Sequence, residues 1–187
     1  MSAIEILVDE HHLISRMMNV LTIMKSDLDK GGLPSVDSLT GVVGFLRVFV
    51  DENHHAKEEI ALFPVLEQHG VNPEGCTLQS LRGEHQQGRE LMKTLANATR
   101  EFEEVESTPE SKISKALRSI VDLYKDHTWR ENILLFPVSE KVLQQQEVSN
   151  LTKTFSEIEK KFGTGFRAKY EELVHALQKT VNGPGLP

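Results

Sequence analysis

Six residues carry the chemistry open to this chain: His11, His54, His85, His127, Glu58 and Glu131. Each histidine interrupts a stripe of apolar residues spaced by threes and fours, the signature of a buried helical face. Two of them are followed by a glutamate four residues later, in His54/Glu58 and His127/Glu131. That spacing puts an imidazole and a carboxylate on one face of a helix, so one helix can offer both to the same centre. Burying carboxylates among apolar side chains is costly unless a cation compensates them. Imidazole with carboxylate suits iron, manganese or zinc.

An internal repeat supports the pairing. HHAKEEIALFPV from His54 to Val65 matches HTWRENILLFPV from His127 to Val138 without a gap, both fitting H-x-x-x-E-x-I-x-L-F-P-V. The repeat aligns His54, rather than His55, with His127, and His54 continues the stripe through Val50 and Val43. His11, in phase with Leu7 and Ile14, is preferred over His12 in the same way. His12 and His55 stay open as alternatives to His11 and His54.

These residues need helices to position them, and the sequence divides accordingly. Breakers stand at Lys30-Gly31-Gly32-Leu33-Pro34, at Gly70 to Gly75, and at Ser107-Thr108-Pro109, where a cap precedes a helix-opening proline. A softer break falls at Val148-Ser149-Asn150, and the tail from Asn182 to Gly185 is expected to fray. The stripes run through Ile4, Leu7, His11, Ile14 and Met18; through Leu39, Val43, Leu46, Val50, His54, Glu58, Ala61 and Val65; through Leu78, Leu81, His85, Gly88, Met92 and Leu95; and through Ile113, Leu117, Ile120, Tyr124, His127, Glu131 and Leu134. The predicted fold is all-α, an up-down-up-down four-helix bundle with an additional C-terminal helix. Counted from the turns of an antiparallel bundle, the four histidines fall within roughly one helical turn of a common level. The expected division is a bundle over residues 1–147 and a C-terminal helix over 148–187, broken or kinked at Gly163-Thr164-Gly165. That helix either caps the bundle or docks a second subunit as a homodimer.

Bulk properties narrow the function. A net charge of −7 with no dense basic run argues against a nucleic-acid partner. The N-terminus has no basic n-region, and the longest apolar run, GVVGFLRVFV, is too short to span a bilayer, so no membrane association is expected. The single cysteine, Cys76, excludes an internal disulfide and fits a cytoplasmic location, with Cys76 itself a turn residue without a role. Trp129 is read as packing, and His69 and His175 as surface residues.

At EHHLI around His11, HHAKEEIALFP, EHQQGREL around His85 and DHTWRENILLFP, the chain resembles the hemerythrin-like, HHE cation-binding family over about residues 4–143. The resemblance implies two iron ions bridged by carboxylates and an oxo or hydroxo group, with manganese or zinc as substitutes. His11 and His54 would bind one iron, His85 and His127 the other, with Glu58 and Glu131 bridging. Oxygen-carrying members have a second histidine one turn after that of the third helix, where this chain has Arg89. They end with an aspartate five residues after the last histidine, where this chain has Glu131 at four. The first shell then resembles the H-HxxxE-H-HxxxE variety, with an open coordination position. Tyr124, one turn before His127, is the expected donor to a bound oxygen species. Glu84, Asp51, Asp126 and Arg89 are candidates to hold the outer imidazole nitrogens.

The function expected on this basis is binding of O2 or NO by a sensor, scavenger or store, more a metal- and diatomic-binding protein than a dedicated enzyme. The alternatives are a di-iron enzyme acting on peroxide or NO, or donating iron for cluster repair, and an iron-responsive regulatory domain.

Overall fold

In the computed structural model, which describes residues 1–105 and 110–182, all regular structure is helical. Helix α1 is Ala3–Leu28 and opens on a capping box, in which Ser2 accepts from the Glu5 N–H and the Glu5 carboxylate accepts from the Ser2 N–H. It ends at Gly31, whose φ of 85° only glycine adopts cheaply. Helix α2 is one continuous run over residues 36–68, and α3 is Leu78–Val105. Helix α4 runs over residues 110–142; the expected cap and proline at Ser107-Thr108-Pro109 lie outside the described residues. Among the described residues no helix is long and apolar enough to cross a membrane.

Helices α2 and α4 are not α-helical throughout. Wider turns with i→i+5 hydrogen bonds occupy Phe45–His55 and Glu58–Leu62 in α2, and Glu131–Leu135 in α4. Two of the three end just before a proline of the repeat, Pro64 and Pro137. A proline inside a helix offers no N–H and crowds the carbonyl four residues back. The widened turn accommodates this: the Phe63 N–H reaches the Glu58 carbonyl, and the Phe136 N–H reaches that of Glu131. The wide turns also keep Val50, His54 and Glu58 on one face. On a regular α-helix, steps of four would drift by about 40° each. Beyond the wide turns the buried phase moves: Leu62, Leu66 and Leu135 are fully buried, whereas Val65 and Leu134 of the expected stripes are only partly so.

The C-terminal segment starts earlier than expected and is divided where expected, at Gly163-Thr164-Gly165. The break before it lies at residues 143–144, because Gln144 and Glu147 form a capping box that starts α5 (Gln145–Lys160), so Val148-Ser149-Asn150 is helical. It is also two helices. Gly163 and Gly165, with φ of 83° and 78°, separate α5 from α6 (Phe166–Asn182). Both pack against α1. Of the fraying tail, Gly183 to Gly185 lie outside the described residues.

The interior is two apolar clusters. One gathers Ile14, Leu21, Phe45, Phe49, Val50, Leu95, Ile120 and Tyr124, and α6 adds Phe166 and Tyr170. The other gathers Leu7, Leu62, Phe63, Leu66, Leu81, Leu135 and Phe136, and α5 adds Leu151 and Phe155. Along each of α1 to α4, the histidine of interest stands between residues of the two clusters. A polar layer therefore separates them.

Candidate metal centre

That layer brings the six residues together. The ring nitrogens and carboxylate oxygens of His11, His54, Glu58 and Glu131 lie within 4.8 Å of one another, and so do those of Glu58, His85, His127 and Glu131. The two groups share both glutamates. All six side chains are buried, at 2% exposure or less.

Each imidazole is fixed from behind. The Nδ1–H of His54 donates to Glu10 at 2.9 Å, that of His127 to Glu84 at 2.8 Å, that of His85 to Glu59 at 2.6 Å, and that of His11 to the Asn132 amide oxygen at 2.9 Å. With Nδ1 protonated, every Nε2 presents a lone pair inward. The Nε2 atoms of His11 and His54 then face each other at 3.0 Å, and those of His85 and His127 at 3.3 Å. Two lone pairs at that distance repel unless a cation lies between them. Donors about 2.1 Å from a common cation sit roughly 3 Å apart, so the spacing is the one a metal needs.

The carboxylates point to the same conclusion. Glu131 lies 3.2 Å from both His11 and His127, and Glu58 lies 3.7 Å from His54 and 3.5 Å from His85. All four of their oxygens are buried without a hydrogen-bond partner. An orphaned buried oxygen costs about 1–3 kcal/mol, more when charged, and four in one place mark where a positive charge belongs. Without one, the pair shares its burden unequally. Burial and the Glu131 charge push Glu58 well above the usual carboxylate range. Burial also acts on Glu131, but the imidazoles of His127, His11 and His85, where protonated, outweigh it and hold Glu131 low. Burial keeps His54 neutral, pushing it down to about 4, and lowers His85 as well. Neutral imidazoles and a site able to carry negative charge are the donor set a divalent or trivalent cation requires.

The repeat accounts for much of this symmetry. Its Phe63 stacks on His85 and its Phe136 on His11, at 5.9 and 5.3 Å between ring centres. Its Glu59 and Asn132 hold those same two imidazoles. The residues just before His11 and His85, Glu10 and Glu84, hold the other two. Glu10 also accepts from Asn53 at 2.9 Å and pairs with the fully buried Lys57. Burial raises its carboxyl, but His54 and Lys57 prevail and hold it at about 2. Lys57 reaches Glu159 of α5 at 3.3 Å, which ties the C-terminal segment to the site.

Of the four candidates for the outer nitrogens, Glu84 has that role and Asp126 is exposed. Arg89 instead bonds Asp51 at 2.8 Å and Glu59 at 2.9 Å. Sequence reasoning missed Glu10, Glu59 and Asn132; the repeat and the Glu-His pairs at 10–11 and 84–85 were the signals. His12 is exposed and joins no group. His55 is buried along with His54 rather than in place of it, in a further group with His85 and His127. Tyr124 lies parallel to His55 and edge-on to His127, and its hydroxyl rests over Gly88, where a Cβ would come within 2.6 Å of it. Trp129 does not pack: it is 59% exposed. Cys76 is fully buried in the second cluster, and burial pushes its thiol up to about 11. His69 and His175 are at the surface.

Comparison with known proteins agrees with the geometry. The chain is 24% identical over 178 residues to uncharacterized proteins of Mycobacterium tuberculosis and Mycobacterium bovis, an alignment covering 92% of this chain and 68% of theirs. No solved structure matches it. The hemerythrin HHE cation-binding domain matches residues 2–138, which include all six residues of the centre. With a family match over most of its length and a buried histidine–glutamate cluster inside that match, the chain belongs to the hemerythrin HHE cation-binding family.

Proposed function

We propose that this protein holds two iron ions and binds a small diatomic ligand, O2 or NO, at them. His11 and His54 serve one ion, His85 and His127 the other, and Glu58 and Glu131 bridge. The observation that carries this is the shared pair of carboxylates, whose four buried oxygens have no hydrogen-bond partner. The order in which α1 to α4 meet the two apolar clusters supports an up-down-up-down arrangement, which leaves both ions enclosed by four helices. Iron supplies reversible redox and ligand-binding chemistry when bound; manganese and zinc fit the same donors. The protein's own part is to hold four imidazoles aimed inward, to exclude bulk water with Phe63 and Phe136, and to bring the Tyr124 hydroxyl as a donor to the ligand. Arg89, in place of a further imidazole on α3, leaves a coordination position for that ligand.

The test is to purify the protein from iron-supplemented cells, count metals per chain, and record visible spectra of the reduced form before and after oxygen. Two irons and a band that vanishes when oxygen is removed are the expected result. Irreversible oxidation would move the function towards peroxide or redox sensing, and no bound transition metal after reconstitution would end the proposal.

The same orphaned oxygens favour a second reading, an iron-responsive domain whose packing weakens when the cation leaves. Limited proteolysis of loaded and chelated protein separates the two: equal resistance would remove the regulatory reading.

A further inference from the structure

The centre is not symmetric. At the position two-fold related to His55 the repeat has Thr128, whose hydroxyl donates to the Tyr124 carbonyl of its own helix at 2.8 Å. Three residues after His11 stands Ile14, whereas three after His85 stands Gly88. Polar groups are therefore concentrated beside the His85/His127 pair: His55, Asp51, Arg89 and Tyr124.

We infer that His55 is the residue that meets a small ligand at the second imidazole pair, and that it selects a protic ligand of the hydrogen peroxide or water class. The inference rests on the reading of the centre as a metal site and, within it, favours a protic ligand over O2 or NO. His55 is 1% exposed, and its Nε2 has no hydrogen-bond partner. Its Nδ1 faces Asp51 at 3.4 Å, and Arg89 anchors the same Asp51 oxygen. Nδ1–H therefore donates outward, and Nε2 keeps a free lone pair on the side of His85 and His127, with which His55 forms a close group. The His55 ring lies nearly parallel to that of His85, at 11° and 3.8 Å between centres. A cation bound by an imidazole sits in the plane of that ring, so a parallel ring at this separation does not share it. His55 would then stand beside a bound ion rather than among its ligands. A lone pair there accepts a hydrogen bond from a ligand carrying O–H; neither NO nor azide has a proton to give.

The test uses the full iron-loaded chain and compares wild type with His55→Phe, which keeps the ring stack, and His55→Leu, a second replacement without an acceptor. Metals per chain, azide affinity by spectral titration, and the rate of the absorbance change with hydrogen peroxide are measured. Expected are unchanged metal content, azide affinity within about twofold, and a peroxide rate about tenfold lower in His55→Phe, the loss of one hydrogen bond. His55→Leu, if His55→Phe does not fold, gives the same comparison. Loss of metal from the variants alone would overturn the inference, by making His55 a ligand. Equal effects on azide and peroxide, or none on either, would overturn it by making His55 packing. A wild-type chain without metal would remove the centre itself, and is distinguishable from these because it appears before any substitution.

Discussion

Glu58 shows what a single residue of this centre sacrifices. Its carboxyl is fully buried without a protein partner, and burial together with the charge of Glu131 favours its neutral form when no metal is bound. Glutamine has nearly the same shape and no charge. Metal-free Glu58→Gln should therefore be as stable as wild type within about 1 kcal/mol, while its metal content collapses. Melting after chelation, with metals per chain before it, checks both halves. Full metal content in the variant would show that Glu58 is not a ligand. The contrast matters because an ordinary buried-charge residue would affect stability and leave metal binding alone.

At the scale of elements, the wide turns aim the glutamates. Pro64 follows the turn Glu58–Leu62, and Pro137 follows Glu131–Leu135, so the repeat places a helix distortion next to each of the two shared glutamates. Such turns recur at functional sites. Pro64→Ala restores an N–H and relieves crowding, which favours a regular α-turn and rotates Glu58 off the centre. The expected outcome is undiminished helical circular dichroism with metal affinity at least about tenfold weaker; unchanged affinity in a competition titration would refute the role. The crossing of α3 and α4 makes a separate demand. A Cβ at Gly88 would lie 2.6 Å from the Tyr124 hydroxyl and 3.3 Å from its ring carbon. Gly88→Ala should cost about 1–3 kcal/mol through overpacking. Adding Tyr124→Phe should recover much of that loss, and the coupling is read from a double-mutant cycle of denaturation midpoints.

For the whole molecule, the metal-free chain should be sensitive to acid. Burial holds His54 down at about 4, against 6.5 in an unfolded chain. As pH falls below 6.5 the unfolded state takes that proton first, so stability is lost progressively down to about pH 4, by roughly 3 kcal/mol. Glu10, held at about 2 by His54 and Lys57, favours the folded state above pH 4.5 and gives up that support as pH falls towards 2. The two groups are partners, so their effects do not add. Urea midpoints of chelated protein at pH 7.5, 5.5 and 4.5 should fall in that order, and a flat series would contradict the burial of a neutral His54. Bound metal opposes the loss by competing for the same lone pairs.

Much of this was legible in local pattern. Histidines in phase with apolar stripes, a carboxylate four residues on, and a gapless repeat required only helical periodicity to be read, and they pointed to an all-helical chain with a buried histidine–glutamate layer. The outer partners of the imidazoles were less legible. Glu10, Glu59 and Asn132 look like solvated helix residues until neighbouring helices approach, and Arg89 reaches Asp51 and Glu59 instead of an imidazole. The start of the C-terminal segment turned on a capping box at Gln144, a small local energy that periodicity averages over, whereas its break was legible in Gly163 and Gly165. Trp129 lies out in solvent because being off the buried face does not supply a second surface to pack on. The sequence by itself determined that the four histidines and two glutamates of the layer face inward, since that depends on spacing along one helix. Only the tertiary structure decided that His55 is buried beside His54, over His85, because that depends on how far one wide turn rotates a helix against its neighbours.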